Sequence, residues 1–553
     1  MTAAANRPLL LGVDVGTGSA RAGLFTSEGR LVGRDEHPLQ TWHPHPNHVE
    51  QSSEEIWRAV ASSVHSAMAK AGATAEEVAG IGFDATCSLV AVNGQGLPVT
   101  LSTTGAPEQN VIVWMDHRAT SDADEITRVG HDVLDFVGGT MSPEMQSPKL
   151  RWVKRHLPTS WSDTARWFDL PDFLTWKATG SDVRSTCSTT CKWTYVGHRG
   201  GWDRSYFEAM GLDELARDSF APIGSSCIAP GHCVGGLSDA AAAELGLLPG
   251  TPVASSLIDA HAGALGILGA AGSIYPIDRR LAVIAGTSAC HIALSRNGPR
   301  VRGVWGPYSD AVLRGWWVHE AGISASGAFV DDVVRRATGV RAHEDVLAAL
   351  DAACTERRAR GELPGARVHM QPNVLGNRSP LADPSVTGGL SGWSLRDDLE
   401  DQTDWYAAAM QGLAYATRHI VETLDAAGIQ PAVLVATGGS TSSAEWLRAH
   451  ADALGIPIVV PNAAEGVLLG AAMLGATAAG VHENLEAAME AMSGDSHMVT
   501  PDQASRRLHD AKYLVYRRML DDERAYREIM QDLERFETGQ RTVGDSKFET
   551  PDS

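Results

Sequence analysis

The sequence predicts an α/β protein built from two duplicated domains that face one another across a cleft. Its 553 residues are too many for one hydrophobic core, and a hydrophobic fraction of 43% is enough for two. Two short turns rich in glycine and hydroxyl side chains begin at positions 16 and 286, which are 270 residues apart. Each turn joins an apolar strand to a second strand, so one unit occurs twice. We expect domains at 1–275 and 276–538 and a polar, disordered tail at 539–553.

Composition limits the classes of partner. The net charge of -21 argues against nucleic acid and anionic membranes, which both select for basic patches. The N-terminus lacks a basic segment joined to a long apolar one, and no apolar run approaches the length of a membrane span. These features predict a soluble cytoplasmic protein, and they leave its assembly open, with a homodimer among the options.

The seven cysteines are scattered along the chain. Two pairs stand close in sequence, Cys187 with Cys191 and Cys227 with Cys233. Neither pair has a matching histidine or cysteine pair at the spacing of a zinc finger. We therefore expect reduced, mostly buried thiols.

The first turn lies within a strand–turn–strand pattern at 9–25. The turn contains Gly16, Thr17, Gly18 and Ser19. Its glycines let backbone N–H groups approach an anion, and its hydroxyls add donors. Asp14, at the end of the first strand, is placed to hold hydrated Mg²⁺ beside bound phosphates. Taken alone, an ordinary glycine hairpin explains the turn as well. No helix start follows the glycines, which excludes a P-loop and a dinucleotide fingerprint.

The next elements are a scaffold helix and a strand. Ser52 is a predicted helix cap and Gly72 the predicted stop. The strand at 80–84 runs into three short polar side chains, Thr86, Cys87 and Ser88. Such side chains at a strand's carboxyl end suit a polar pocket, although a buried inert thiol explains Cys87 equally.

Two further segments carry isolated charges. The strand at 111–114 leads into Asp116 and Arg118, which could hold a polyol or could begin a solvated helix. The segment 185–195 is rich in β-branched residues and is predicted to be extended. It carries one lysine, Lys192, which in isolation predicts a surface charge.

The segment around Asp259 lies between the two glycine-rich turns and carries the most informative charged residue in the sequence. An apolar strand at 253–258 delivers this carboxylate to a helix start rich in alanine and glycine. Asp is a favoured N-cap, which would explain it without chemistry. Two phosphate-type turns on either side of a solitary carboxylate instead favour phosphoryl transfer to a hydroxyl, with Asp259 as the base.

The second half repeats the first pattern. An apolar strand leads into Gly286, Thr287 and Ser288. A strand and glycine-rich turn follow at 316–327, then a long loop at 371–393 and an amphipathic helix at 403–427. The strand beginning at 433 enters a third turn, which precedes a helix whose N–H groups can face an anion. A helix of small residues is predicted at 471–479.

Seven motifs in order resemble the FGGY carbohydrate kinases, and within them the pentulose kinases, over almost the whole chain. They lie at 14–21, 82–90, 114–118, 258–263, 285–288, 376–384 and 437–440. The resemblance implies two actin-like (ribonuclease H-like) domains with a nucleotide cleft between them. It also implies ATP and Mg²⁺ as cofactors and a small-molecule sugar as substrate.

The resemblance and the motifs together predict the site residues. We expect Asp259 to be catalytic and Asp14 to lie at the metal. The predicted sugar-binding residues are Thr86, Cys87, Ser88, Asp116, Lys192, Asp259 and Glu320. The predicted nucleotide-binding residues are Gly16, Thr17, Gly18, Ser19, Arg21, Gly286, Thr287, Ser288, Gly327, Asp331, Gly438, Gly439, Ser440 and Ser443.

Two departures from the family pattern bear on selectivity. Members commonly carry Asn and Gln where this chain has Ser443 and Arg448, which predicts looser discrimination of the adenine base. Xylulose kinases typically carry Met-His-Gly where this chain has Thr86, Cys87 and Ser88, which argues against xylulose.

The sequence therefore favours an ATP-dependent pentulose kinase, with D-ribulose, giving D-ribulose 5-phosphate, as the first expectation. L-ribulose, ribitol, erythritol and xylulose are the alternative substrates. A non-kinase alternative is an actin-like ATPase module, which needs the turns but not the sugar-site residues. A sugar-responsive regulator would need a basic helix-turn-helix region, for which the N-terminus has no room.

Overall fold

The structure is a computed structural model that describes residues 8–272, 274–462 and 465–537. The tail predicted at 539–553 lies outside these residues. No helix in the described ranges combines the length and the apolar character needed to cross a membrane.

The first half contains a mixed sheet of seven strands, in the order β11-β12-β5-β1-β2-β3 with β13 also paired to β5, among its described residues. A smaller sheet has the order β4-β7-β6-β8, and β9 pairs with β10. The strands are β1 (Leu9–Val15), β2 (Ser19–Thr26), β3 (Leu31–Pro38), β4 (Glu50–Gln51), β5 (Val78–Ala85), β6 (Leu89–Val92), β7 (Val111–Ile112), β8 (Arg166–Asp169), β9 (Arg184–Ser185), β10 (Cys227–Ile228), β11 (Cys233–Gly236), β12 (Pro252–Ala254) and β13 (Leu257–Ile258).

The helices of the first half include the scaffold helix predicted from its caps. Ser52 accepts a hydrogen bond from the Glu55 N–H, and Gly72 ends this helix in the left-handed region. The helices are α1 (Ser53–Ala71), α2 (Thr120–Val129), α3 (Gln146–His156), α4 (Pro158–Asp163), α5 (Leu170–Thr179), α6 (Thr186–Lys192), α7 (Arg204–Ala209), α8 (Asp239–Leu245) and α9 (Asp259–Leu268).

The second half contains another mixed sheet, with strand order β16-β17-β15-β14-β20-β21-β22 among its described residues. Its strands, with the separate hairpin of β18 and β19, are β14 (Arg280–Ala285), β15 (Ala289–Ser295), β16 (Trp305–Ser309), β17 (Trp317–Ile323), β18 (His369–Gln371), β19 (Gly389–Ser391), β20 (Val433–Thr437), β21 (Ile458–Pro461) and β22 (Ser496–Val499). Its helices are α10 (Gly327–Thr338), α11 (Glu344–Ala359), α12 (Leu399–Ala426), α13 (Ala444–Leu454), α14 (Gly466–Ala478), α15 (Leu485–Met492) and α16 (Arg506–Glu537).

Short 3-10 segments connect these elements. They are Ala75–Glu77, Asp132–Phe136, Gly197–Arg199, the interrupted segment Asp213–Ile223, Gly269–Ala271, Ile277–Arg279 and Gly439–Ser442.

The two large sheets share one topology, which confirms the predicted duplication. In the first, β1 pairs antiparallel with β2, β2 antiparallel with β3, and β1 parallel with β5. In the second, β14 pairs antiparallel with β15, β15 antiparallel with β17, and β14 parallel with β20. The predicted boundary at 275/276 lies between α9 and β14.

Helices α9 and α14 join the two halves through a contact that only glycine permits. A Cβ on Gly266 of α9 would lie 1.9 Å from the carbonyl oxygen of Gly466, and a Cβ on Gly470 of α14 would lie 1.9 Å from that of Ala262. α14 also packs on β1 and β5 of the first half, while α9 packs on β14 of the second. Each half therefore contributes a helix to the core of the other.

Glycines in the first sheet accommodate α14. A Cβ on Gly12 would lie 2.2 Å from the Leu468 carbonyl oxygen, and one on Gly82 would lie 1.9 Å from that of Ala471. One cluster of buried apolar side chains consequently runs through both halves, from Leu10 to Met492.

Segment 185–195 differs from its predicted extended conformation, because residues 186–192 form α6. The Ser185 hydroxyl accepts a hydrogen bond from the Cys187 N–H and so caps this short helix. Residues 187–192 of this helix are all buried, and tertiary contacts therefore outweigh the strand preference of its threonines.

Candidate active site

The turns at 16–19 and 286–288 meet at one cleft between the two halves. The first connects β1 to β2 and the second connects β14 to β15. The cleft has a cavity volume of about 280 Å³. It is lined by Thr17, Arg21, Thr86, Cys87, Trp114, Glu144, Lys192, Ile258, Asp259, Ala260, Ile284, Gly286, Thr287, Ser288, Cys290, Trp305, Glu320, Arg378 and Val467.

The two turns have matching geometry. The Gly16 N–H donates to the Ser19 carbonyl oxygen at 3.0 Å, and the Gly286 N–H donates to that of Ser288 at 2.9 Å. The predicted nucleotide-binding residues that line the cleft are Thr17, Arg21, Gly286, Thr287 and Ser288. Gly16, Gly18 and Ser19 belong to the same first turn and complete its backbone.

Gly327 supports the second turn. Its N–H donates to the Gly286 carbonyl oxygen at 3.0 Å, and a Cβ at this position would lie 2.8 Å from that oxygen. Gly327 therefore acts on the turn through the backbone, because a larger residue would push the start of α10 away from it.

The third predicted turn, with Gly438, Gly439 and Ser440, lies beside the second. β20 runs parallel to β14, so the two strands end at the same edge of the sheet. Gly438 has a φ of +102°, and a Cβ there would lie 2.4 Å from the Ala285 carbonyl oxygen. The chain can turn this close to β14 because this residue is glycine.

The side chains of Ser443 and Asp331, both predicted to bind nucleotide, do not line the cleft and have partners elsewhere. The Ser443 hydroxyl donates to Asp351 Oδ1 at 2.9 Å, lies 3.0 Å from the Tyr406 hydroxyl and caps α13. The Asp331 carboxylate accepts the Ala342 N–H at 2.9 Å. Both groups are used in contacts within the second half.

Asp259 lines the cleft together with residues of the two turns and with the predicted sugar-binding residues Lys192 and Glu320, whose part of the cleft is called the sugar side below. β13 runs parallel to β5, with Ile258 opposite Ala85, so Asp259 and Thr86 leave adjacent strand ends. The half-buried carboxylate accepts the Ala260 N–H at 2.8 Å. Burial, and next the charge of Asp14, raise the pKa of Asp259 to about 6.

Two side chains of opposite charge, Lys192 and Glu320, line the cleft from different halves. Lys192 ends α6 in the first half, and Glu320 lies within β17 in the second. Both side chains are buried, and Lys192 Nζ lies 5.1 Å from the centre of the Trp305 ring. Burial alone would raise the pKa of Glu320, but Lys192 and His261 outweigh it and lower the value to about 2. The cleft therefore presents a cation and an anion to hydroxyl groups.

Ser88 lies behind this surface. Its hydroxyl lies 3.1 Å from that of Thr86 and accepts the Trp114 N–H at 3.2 Å. Ser88 thus holds two residues that do line the cleft, Thr86 and Trp114.

Asp116, predicted to bind sugar, does not line the cleft. Its carboxylate pairs with Arg118 at 2.7 Å, and Arg118 pairs with Glu50 at 2.8 Å, with all three side chains fully buried. Asp116 also accepts the Val49 N–H at 2.6 Å. This network connects β4 to the segment that follows β7 within the first half and leaves the Asp116 carboxylate engaged.

An ion pair between Arg378 and Glu144, which the sequence motifs do not predict, crosses the cleft. Arg378, from the loop after β18, contacts Glu144 of the first half at 2.8 Å. The Arg378 guanidinium also lies 5.0 Å from the centre of the Trp305 ring. Arg378 belongs to the 376–384 motif and could have been identified there, whereas no pattern marks Glu144.

Asp14 and Asp84 form a buried carboxylate pair at the ends of β1 and β5, in register with one another. The Arg21 guanidinium forms an ion pair with Asp14. Burial raises the pKa of Asp14, and burial with the charge of Asp14 raises the pKa of Asp84 well above its usual range. The Asp84 oxygens receive no hydrogen bond from a donor in the described ranges. Unsatisfied carboxylate oxygens suit Mg²⁺, which prefers oxygen ligands.

The sequence matches two domains of one family. Residues 9–266 match the N-terminal domain of the FGGY family of carbohydrate kinases, and residues 281–479 match its C-terminal domain.

Curated relatives are similar over most of the chain. A human FGGY carbohydrate kinase domain-containing protein is 41% identical, covering 94% of this chain and 98% of the human protein. A D-ribulokinase of Saccharomyces cerevisiae is 37% identical, covering 85% of this chain and 71% of the yeast protein.

Solved structures share the fold. A xylulose kinase of Lactobacillus acidophilus, with ligand bound, superposes with a TM-score of 0.79 at 16% identity and covers 93% of this chain and 98% of its own. A xylulose kinase of Rhodospirillum rubrum gives a TM-score of 0.76 at 21% identity, over 94% and 99%.

The two domain matches cover the N-terminal and C-terminal domains of a carbohydrate kinase, so the protein is an ATP-dependent sugar kinase. This chain belongs to the FGGY family of carbohydrate kinases.

Proposed function

We propose that this kinase phosphorylates a five-carbon ketose, with D-ribulose as the first candidate, and that Asp259 is its general base. The observation that carries the proposal is the position of Asp259. It lines the same cleft as Thr17 and Thr287 of the two turns and as Lys192 and Glu320 of the sugar side. A base is needed at this junction, where the acceptor hydroxyl meets the transferred phosphoryl group.

Asp259 has the properties of such a base. Its pKa of about 6 leaves the carboxylate mostly ionised at neutral pH while making it a stronger base than an exposed aspartate. The Ala260 N–H fixes one oxygen, Oδ1, and leaves Oδ2 for the acceptor hydroxyl. In the proposed reaction Asp259 takes the hydroxyl proton as the sugar oxygen bonds to the γ-phosphorus and the bond to ADP breaks.

The turns provide the charge stabilisation that phosphoryl transfer requires. Donors from the turns at 16–19 and 286–288 reach one cleft from opposite halves, so each half supplies part of the phosphate site. Mg²⁺ held near Asp14 and Asp84 would neutralise phosphate charge. Arg21, paired with Asp14 and lining the cleft, adds a fixed cation next to it.

Contacts between the halves support exclusion of water from the acceptor site. The Glu144–Arg378 ion pair and the neighbouring Trp305 ring bridge the cleft beside Lys192. Water competes with the sugar hydroxyl as phosphoryl acceptor, so covering the site favours transfer over hydrolysis of ATP.

Three observations favour a pentulose. The short Thr86 and Cys87 side chains leave room for a sugar chain, and Lys192 with Glu320 can orient its hydroxyls. The yeast D-ribulokinase is more similar to this chain than the ribulokinase of Shouchella clausii, at 37% against 29% identity. The xylulose kinases among the solved structures support only the fold.

Initial rates with a panel of acceptors test the assignment. The panel is D-ribulose, L-ribulose, D- and L-xylulose, ribitol, erythritol and glycerol. We expect the highest kcat/KM with D-ribulose and a loss of ~2 kcal/mol, roughly thirty-fold, for an inverted hydroxyl, because the buried partners of that hydroxyl are left unpaired.

Each outcome of the panel decides a different part of the proposal. A clear preference for glycerol or D-xylulose would overturn the pentulose assignment and leave the kinase class intact. ATP consumption that no acceptor stimulates, measured beside Asp259→Asn as a blank, would overturn the proposed site.

A further inference from the structure

A cluster of sulfur and imidazole ligands lies beneath the sugar side of the cleft. Helix α6 places Cys187 and Cys191 one turn apart on the same face, and α9 brings His261 to them. His261 Nδ1 lies 3.1 Å from Cys187 Sγ and 3.9 Å from Cys191 Sγ. All three ligand atoms lie within 4.8 Å of one another, and all three residues have no solvent exposure.

We propose that Cys187, Cys191 and His261 form a zinc site that is separate from the magnesium and nucleotide sites. Two thiolates and an imidazole favour Zn²⁺ over Mg²⁺, which requires oxygen ligands. In tetrahedral zinc sites the usual Zn–S and Zn–N bond lengths separate sulfur from nitrogen by about 3.6 Å. The two sulfur–nitrogen distances, 3.1 and 3.9 Å, lie on either side of that value.

Contacts outside the three ligands have the form that zinc sites require. His261 Nε2 lies 3.4 Å from Glu320 Oε2, so the ring can donate to a carboxylate while Nδ1 faces the sulfurs. Carboxylates commonly orient metal-bound histidines in this way. The Ile258 N–H donates to Cys187 Sγ at 3.4 Å, which stabilises a thiolate.

The proposed site also connects the metal to the sugar side of the cleft. Glu320 lines the cleft and contacts His261, so a zinc ion that fixes the imidazole also fixes this carboxylate. His261 is then a positioning residue for Glu320.

Metal content and cobalt spectroscopy test the site in the full chain. We expect the reduced protein, purified without chelator, to hold one zinc per chain. Removing the zinc and adding Co²⁺ should produce thiolate-to-cobalt absorption, with Mg²⁺ present throughout at millimolar concentration. Absence of this absorption from folded wild-type protein would overturn the site, as would a Cys187–Cys191 disulfide that persists in the purified protein.

Matched cysteine variants locate the metal. Cys191→Ser should lower zinc affinity at least ten-fold in competition with a chromophoric chelator. Cys354→Ser removes another buried thiol, on α11, and should leave affinity unchanged. Equal affinities for the two variants would assign the metal elsewhere. If Cys191→Ser fails to fold, the wild-type cobalt spectrum still decides whether thiolates bind the metal.

Discussion

At the scale of single residues, the cleft depends on charges that are fixed by their surroundings. Asp259 is held by the Ala260 N–H, and Lys192 and Glu320 are buried with opposite charge in the same cleft. A side chain held in this way loses little freedom when substrate binds, which favours the transition state.

Replacing Asp259 by Asn should reduce kcat by ~10²–10⁴-fold, because the amide keeps the shape but cannot accept the hydroxyl proton. ATP affinity should stay within a few-fold of wild type. Steady-state rates and nucleotide titration measure both quantities. The exposed Asp278→Asn serves as control, and a rate for Asp259→Asn near that of the control would remove this carboxylate from the mechanism.

Replacing Lys192 by Met should raise the KM for the sugar roughly 10–150-fold, because a hydrogen bond from a charged group is worth about 1.5–3 kcal/mol. The KM for ATP should change little. Lys177→Met removes a partly exposed lysine that pairs with Glu54 at 3.2 Å outside the cleft, and it should leave both constants unchanged. Equal effects on sugar and ATP would indicate a general loss of structure instead.

The sequence identified residues that lie in contiguous motifs and missed those whose partners are distant. Local patterns point to Asp259 and to both phosphate-type turns, whereas Lys192 in isolation predicts a surface charge and is singled out only by the family resemblance. Glu144 could not, since its partner Arg378 is 234 positions away and nothing near it in sequence marks a pair. Asp116 was selected for its charge, but its pairing with Arg118 is a property of the fold.

At the scale of elements, the local conformational preference and the tertiary packing of residues 186–192 favour different secondary structures. Caps predicted α1 well, because Ser52 and Gly72 act on their own backbone. The threonines of 186–192 favour a strand, yet this segment forms a helix because its residues pack against neighbouring elements in the interior. The cysteine pair and His261 come together only in that helical form, and sequence spacing alone argued against a metal.

The contact between α9 and α14 can be tested by adding one methyl group. In Gly470→Ala, the new Cβ would lie 1.9 Å from the Ala262 carbonyl oxygen if the backbone did not move. The two helices must therefore move apart. We expect a loss of about 1–3 kcal/mol in the free energy of unfolding. Gly94→Ala, at an exposed turn with no atom within 4 Å of the new Cβ, should change stability by less than about 0.5 kcal/mol. Chemical denaturation of both variants compares them, and equal stabilities would show that the contact can relax.

At the scale of the molecule, the proposed phosphate site takes one turn from each half, and we expect the halves to approach one another when ligands bind. We expect a smaller radius of gyration by small-angle scattering when a non-hydrolysable ATP analogue and D-ribulose are both present than in the free protein. Sugar alone serves as the control for partial closure. An unchanged radius at saturation would contradict a closing cleft.

The exchange of α9 and α14 between halves has a consequence for synthesis on the ribosome. The face of the first sheet around Gly12 and Gly82 is covered by a helix that begins at Gly466, about 380 residues after β5 ends at Ala85. At a translation rate of ~5–20 residues per second, α14 is synthesised roughly 20–75 s after β5, and this face of the sheet stays uncovered during that time. We therefore expect the nascent chain to expose an apolar surface that chaperones bind until α14 has been synthesised. A chain truncated after residue 462 should bind much more of a hydrophobic dye per molecule than the full chain, and equal binding would show that the first half closes its own core.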